Sequence, residues 1–328
     1  MPASERLRAA VAARVFPRSP QGDAASVAQA IVGKGGDSVL AVVFFGSRKT
    51  QANPDAWSGY DFFVLTRDYG EFYRSLAAAG VLRRSVRLVS TLNAILPPNQ
   101  ISIRDLGAET PTVAKCAVVS LKTLLRDTSE RRRDHFCAGR LFQPTEVLYV
   151  RDEQVAGKVL DALVGAHALT LSWVRPWLPE VFGVEAYCRT LLRVSLGREI
   201  RAEPRGRSDA LWGAQQEYLT EVYGVLLHDL ADAGELDIRS DAAYSLARRV
   251  TLAERVRIEA YFRRSVVRAT ARWFKYMLTF DDWLEYIVRK ARRHTGEDIV
   301  LTRREKRLPI VFLWPRVIRY LRRKDRKK

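Results

Sequence analysis

The chain has 328 residues, 47% of them hydrophobic, and a formal charge of +18 from 55 basic and 37 acidic residues. That is apolar enough for a sizeable core of one or two domains. Three cysteines (Cys116, Cys137, Cys188) without framework spacing read as reduced thiols, and four histidines with no Cys/His cluster argue against a zinc site. The basic excess points to a polyanionic partner, whether nucleic acid, an anionic membrane or a phosphorylated substrate, without choosing among them.

Residues 1–20 are basic and alanine-rich, and Ser4 to Phe16 is amphipathic at helical spacing. No signal-peptide apolar region follows, and Glu5 fits an ordinary first helix better than a mitochondrial presequence. A second helix is predicted over Asp23 to Val32, with Asp23 as N-cap and Gly33, Gly35 and Gly36 ending it. Two short runs come next, Val42 to Phe45 and Tyr60 to Thr66, rich in β-branched and aromatic residues and bounded by turn formers; both read as buried strands. The first ends in Gly46-Ser47-Arg48-Lys49, and the second carries Asp61 at its start. Nucleotidyltransferases of the polymerase-β type are similar in build. Their Gly-Ser turn holds nucleotide phosphates with backbone N–H groups and a hydroxyl, and an acid on the next strand holds Mg2+ against them. The plainer reading is a simple turn with Asp61 as a solvated residue or a cap. That superfamily also has a second acid in an Asp-x-Asp pair, and here Gly59 stands where the first would be.

A helix near Glu71 to Ala79, closed by Gly80, follows. Residues 83–95 alternate basic and apolar without a firm assignment, and Pro97-Pro98-Asn99 breaks the chain. Gln100 to Asp105 alternates like a half-buried strand, and Val113 to Ser120 is a strand running into a helix. From Ser120 onward the apolar spacing predicts helices: Leu121 to Leu125, Arg131 to Leu141, Val155 to Leu171, Ala210 to Leu230, Leu252 to Met277 and Asp281 to Arg292. The arginine-rich stretch Gly197 to Ser208 is the best linker or mobile-loop candidate. The chain ends in the apolar run Leu308 to Pro315, too short to span a bilayer, and then a Lys/Arg run interleaved with Val317, Ile318, Tyr320 and Leu321. An apolar face beside Trp314 among arginines is the composition of a helix lying in a membrane interface, which a disordered or RNA-binding tail does not explain.

One region is more specific. Lys115-Cys116-Ala117-Val118-Val119-Ser120 is followed by Leu124-Leu125-Arg126-Asp127 and then by Ala138-Gly139-Arg140-Leu141-Phe142-Gln143-Pro144-Thr145. With Gly46-Ser47 and Tyr60-Asp61-Phe62 upstream, this order resembles the mitochondrial-type phosphatidate cytidylyltransferases, peripheral CDP-diacylglycerol synthases first named for translocator maintenance. The resemblance covers roughly residues 40–150. Cys116-Ala117 replaces a Tyr-Gly pair, Arg48 stands where that family has a small residue, and residues 131–135 are more basic.

The resemblance implies an α+β chain with a polymerase-β-like nucleotidyltransferase domain over 1–150, a helical domain over 151–300 and a basic amphipathic membrane-binding tail over 301–328. It implies Ser47, Asp61 and Lys115 as catalytic residues, with Asp61 the Mg2+ ligand. Gly46, Ser47, Arg48, Lys115 and Arg140 would bind the nucleotide. The residues themselves agree in kind. Lys115 in a buried-looking strand needs an anion or must reach solvent, Arg140 either grips a phosphate or caps a neighbouring helix, and Asp127 pairs with Arg140 or another base. A second metal ligand could be Asp55, Asp68 or Asp105. The implied partners are CTP, phosphatidic acid and an anionic membrane surface, with no obligate nucleic acid. The implied place is peripheral, on the cytoplasmic face of a bacterial inner membrane or the matrix side of the mitochondrial one. Two alternatives stand beside this: a nucleotidyltransferase acting on RNA or protein, and a non-catalytic membrane or nucleic-acid binder.

Because the phosphate-binding candidates all precede residue 150, removal of residues 308–328 is expected to abolish binding to anionic vesicles and to leave turnover of a short-chain, soluble phosphatidate largely intact. Co-sedimentation at low and high salt checks it. Full vesicle binding after truncation, or loss of soluble-substrate turnover, would contradict the assignment.

Overall fold

The two apolar runs form the centre of the sheet because they can be buried on both faces. In the computed structural model, which describes residues 4–17, 22–50, 59–103, 113–198, 206–240, 242–279 and 302, the fold class is α+β. Helices α1 (Glu5–Val15) and α2 (Asp23–Gly35) lead into β1 (Val39–Phe45), the single turn α3 (Ser47–Thr50) and β2 (Tyr60–Thr66). Next come α4 (Tyr69–Ala78), α5 (Val86–Ile95), β3 (Asn99–Ile103), β4 (Ala114–Ser120), α6 (Leu121–Asp127), α7 (Ala138–Leu141) and β5 (Glu146–Val150). After that lie α8 (Glu153–Ala168), α9 (Leu171–Val174), α10 (Val184–Gly197), α11 (Arg207–Asp232), the hairpin β6 (Leu236–Ser240) and β7 (Ala243–Leu246), and α12 (Leu252–Thr279).

The sheet order is β3-β4-β2-β1-β5. β2 and β4 are parallel, and the other neighbours are antiparallel. Alternate strand residues feed two cores. Val43, Phe63, Leu65, Val119 and Val147 face α1, α8, α10 and α11; Val42, Phe62, Val64 and Val118 face α2, α4 and α5. The first core is continuous across residue 150, running from Leu7 to Phe262. Helix α1 is an integral part of it: Leu7, Val11 and Val15 recur every four residues and are buried, and Arg14 on the outer side meets Glu217 of α11 at 2.9 Å. Residues 153–177 have the length and hydropathy to cross a bilayer, but 50% of that window is buried within the protein, where α8 serves as a core helix.

Several expectations need correction. Glu146 to Val150, to which the sequence assigns no element in the stretch read as helical from Ser120 onward, is a strand paired with β1. Residues 236–246 form a hairpin within the stretch read as helical. Of Arg131 to Leu141, only Ala138–Leu141 is α-helical. The unassigned basic stretch contains α5, capped by Ser85, with Val89 and Asn93 on its buried face. Asp23 is the first helical residue and Gly22 the N-cap; the Asp23 carboxylate instead accepts a bond from the Tyr60 hydroxyl at 3.1 Å. Three predictions lie outside the described residues: the helix over 281–292, the amphipathic tail, and most of the 197–208 loop. Cys116, Cys137 and Cys188 are free and buried, and burial pushes all three thiols up.

Two histidines are buried inside the first core. His135 Nδ1 lies 2.9 Å from the Tyr261 hydroxyl and Nε2 3.0 Å from Ser195 Oγ, joining the segment before α7 to α10 and α12. His167 Nε2 lies 2.9 Å from the Tyr218 hydroxyl. Burial pushes His135 down to about 3, helped by Arg132 and Arg140, and His167 down to about 4. Both rings are therefore neutral in the fold but take up protons in the unfolded chain below about pH 6.5. The unfolded state binds the extra protons, so this stability is full above about pH 6.5 and falls as pH drops toward 4. At pH 5, before most carboxylates titrate, each ring is expected to cost about 2 kcal/mol. A urea midpoint that stays constant between pH 7 and 5 would show that these rings are not held neutral.

Candidate functional site

The predicted site residues gather where β1, β2 and β4 end together. Phe45, the last residue of β1, is opposite Asp61, and Asp61 is in turn opposite Lys115 of the parallel β4. The chain leaves β1 through Gly46 at φ +89°, a left-handed conformation that favours glycine. Glycine is also required by space: a Cβ there would lie 2.7 Å from Asp61 Oδ2. The Asp61 carboxylate is thus laid against the backbone of the Gly46-Ser47 turn. That turn is fixed on its other side, since the Gly46 carbonyl accepts from Lys49 N at 3.0 Å, Thr50 N at 3.1 Å and Thr50 Oγ1 at 3.1 Å.

Gly59 also has a physical reason. A Cβ at this position would meet the Val113 carbonyl at 2.7 Å and Lys115 Cε at 3.2 Å. The Lys115 stem therefore crosses the position where the first acid of an Asp-x-Asp pair would begin. Asp61 and Lys115 share the sheet face of Phe63 and Ala117 by strand alternation. Arg140 belongs to the same side: its guanidinium lies 4.0 Å over the Phe136 ring, which meets Phe63 edge-on at 6.0 Å, and its Nη1 donates to the Phe136 carbonyl at 3.0 Å. The glycine of the Ala-Gly-Arg-Leu motif has a packing role, since a Cβ on Gly139 would lie 2.6 Å from the His135 ring.

Arg48 and Lys49 turn elsewhere. Arg48 lies 4.4 Å over the Tyr60 ring, and Lys49 Nζ pairs with Glu146 Oε2 of β5 at 2.5 Å. Together with Asp23, Ala24 and Phe44 these residues line an open cavity of about 370 Å3. Tyr60 and Phe44 belong to the second core, so this cavity opens on the sheet face opposite Asp61 and Lys115. Burial first and the Asp23 bond second raise the Tyr60 phenol. The structure thus joins Gly46, Asp61, Lys115 and Arg140 on one side of the sheet, while the Arg48 guanidinium reaches the other. Glu146 is a charged residue at this end of the sheet that sequence reading missed; a Lys/Glu pair 97 positions apart leaves no local signal.

Asp127 takes the structural alternative, pairing with Arg126 at 3.0 Å and Arg133 at 3.3 Å. Asp68 is not a second metal ligand: it caps α4, accepting from Glu71 N at 2.8 Å, beyond the far end of β2 from Asp61. Asp55 and Asp105 lie outside the described residues. Among the described residues no group of three His, Cys, Asp or Glu side chains is arranged to hold a metal. Mg2+ does not need one, since it is commonly bound by one or two carboxylates together with substrate phosphates and water. A carboxylate lying against a bare glycine Cα, with room only because no Cβ intervenes, suits that donor set. No protein-family model matches the chain, and a search of curated proteins returns no match.

The geometry makes Gly46→Ala a direct check. Both the left-handed φ and the contact with Asp61 oppose a methyl group, so a loss of roughly 1–3 kcal/mol in unfolding free energy is expected. Unchanged urea midpoints would mean that the turn and Asp61 are not in contact.

Proposed function

We propose that this chain is a phosphatidate cytidylyltransferase with a polymerase-β-like N-terminal domain. It transfers CMP from CTP to phosphatidic acid at an anionic membrane surface, releasing pyrophosphate. The observation that carries the reading is the Asp61 carboxylate packed on the Gly46-Ser47 turn, with Lys115 beside it in register. A cation-binding acid, a phosphate-binding turn and an ammonium group at one sheet end fit nucleotidyl transfer better than any other common chemistry. The membrane assignment rests on the resemblance over residues 40–150 and on the composition of the tail.

In this reading the backbone N–H groups and hydroxyl at Gly46 and Ser47 hold the β- and γ-phosphates. Asp61 would hold Mg2+, which would supply positive charge against the triphosphate in the transition state. Lys115 and Arg140 bind phosphate oxygens and orient the α-phosphorus. An oxygen of the phosphatidate phosphate forms the new bond to that phosphorus, and the bond to the β-bridging oxygen breaks, its electron pair leaving with pyrophosphate. The nucleophile is already anionic, so no strong general base is needed. His135 and His167, buried and engaged with hydroxyl groups, are not called on. The Lys115 stem passes over Gly59, and in this reading its amine supplies positive charge on the side where a two-acid site would hold its cation from residue 59. In this reading the setting is the cytoplasmic face of a bacterial inner membrane or the matrix side of the mitochondrial one.

Pyrophosphate release measured with each of the four nucleoside triphosphates, with and without phosphatidate vesicles, tests the reaction; CTP with phosphatidate is the expected pair. Asp61→Asn keeps the volume and removes the charge, and is expected to lower turnover on the order of a hundredfold or more with the fold retained. Ser47→Ala is expected to cost about tenfold, one hydrogen bond to a charged group. Near wild-type release by Asp61→Asn would place the metal elsewhere.

A further inference from the structure

Helix α12 has two different long faces. One is buried, through Ile258, Tyr261, Phe262 and Ser265, and ends in Arg272 and Lys275. Arg272 Nε donates to the Pro97 carbonyl at 2.8 Å, and Lys275 Nζ donates to the Pro98 carbonyl at 2.6 Å and to the Leu96 carbonyl. The opposite face is formed by positions 252, 256, 260, 263, 267, 271, 274 and 278, spaced by threes and fours, and all of them are exposed. Leu252 is 78% exposed, Val256 59%, Val267 67% and Leu278 48%. Solvent-facing helix positions usually carry polar residues; here they form a mostly apolar stripe about 40 Å long.

Charge beside the stripe is of one sign. The acids of α12 are Glu254 and Glu259. Glu254 is engaged by Arg248 at 2.9 Å, and Glu259 by Arg198 at 2.7 Å. Arg263 lies within the stripe and Arg257 along its edge, both exposed; Arg264, also exposed at that edge, donates from Nη2 to the Arg132 carbonyl at 3.3 Å. An apolar strip flanked by arginines is complementary to a surface that is oily below and anionic above. A second copy is a poor fit, because Arg263 would fall inside the seam with like charges beside it. Nucleic acid would match the arginines but not the aliphatic side chains between them.

We propose that the outer face of α12 is a docking surface for an anionic phospholipid bilayer. The helix lies along the headgroup boundary with its aliphatic residues inserted and Arg257 and Arg263 on phosphates. The inference rests on the reading of the acceptor as a membrane phospholipid and deepens it. This contact lies on α12, separate in sequence from the tail whose composition suits a membrane, and two weak anchors on one chain reinforce each other.

The test uses the full chain and the double variant Val256→Asp/Val267→Asp, which alters exposed side chains outside the phosphate-binding residues. Partition is measured on phosphatidylcholine vesicles with and without phosphatidate, alongside thermal midpoint, molecular mass in solution and release of pyrophosphate from CTP with a soluble short-chain phosphatidate. Expected are at least a tenfold drop in partition to phosphatidate vesicles, an unchanged midpoint and unchanged soluble-substrate turnover. Undiminished partition overturns the proposal. A wild-type dimer that the variant converts to monomer overturns it in favour of a second copy, and a lowered midpoint overturns it in favour of a contact within the chain. If the wild-type chain turns over no CTP yet the variant alone loses vesicle binding, the enzymatic reading falls and the docking surface stands.

Discussion

The contact between the Asp61 carboxylate and the bare Cα of Gly46 is the constraint on which the site depends. It exists because β1 and β2 are paired without slippage from Ala41/Leu65 to Phe45/Asp61, so the last residue of one strand is held opposite the acid of the other. That register is in turn set by burial on both faces. Phe63 and Leu65 belong to one core and Phe62 and Val64 to the other, and a one-residue slip would exchange the two sets. The acid is therefore positioned by strands buried on both faces, while its oxygen faces a turn whose left-handed φ favours glycine.

Helix α12 shows how a strongly basic chain places its charge. Asp134, nearly fully buried, accepts from Arg268 Nε at 2.7 Å, from Arg272 and from the Phe136 N–H at 3.0 Å. Burial alone would raise its carboxyl; Arg272, Arg268 and that N–H hold it below the ordinary range. The same helix binds the carbonyls of residues 96–98 and lays Arg272 over the Phe136 ring at 5.0 Å, the ring that also carries Arg140. Removing one partner from such a group leaves a buried charge uncompensated, which makes the inner face of α12 intolerant of change. Its outer face is instead apolar and exposed at Leu252, Val256, Val267 and Leu278.

The sequence by itself determined the α+β class, the two central strands, the helix rhythm of α1, α8, α11 and α12, and the cluster Gly46, Ser47 and Asp61 at a strand end. These are local properties: a period of 3.6 or 2, a turn former, an acid at the start of an apolar run. Only the tertiary structure decided the rest. Residues 146–150 pair with the free edge of β1; their Val-Leu-Tyr-Val run favours a strand but does not say which edge it joins. Asp23 bonds Tyr60 rather than capping a helix, and Asp68 caps one rather than binding metal, because a short carboxylate takes whichever donor the fold brings near. The glycine at position 59 reads as a missing acid in sequence; in space it is the channel through which the Lys115 stem reaches across the neighbouring strand. Arg48 and Lys49 follow the phosphate turn in sequence yet leave the side of Asp61, drawn to Tyr60 and Glu146. Periodicity is written along the chain and can be read there, whereas a partner 50 or 100 residues away is set by strand pairing and helix packing, which a linear pattern does not contain.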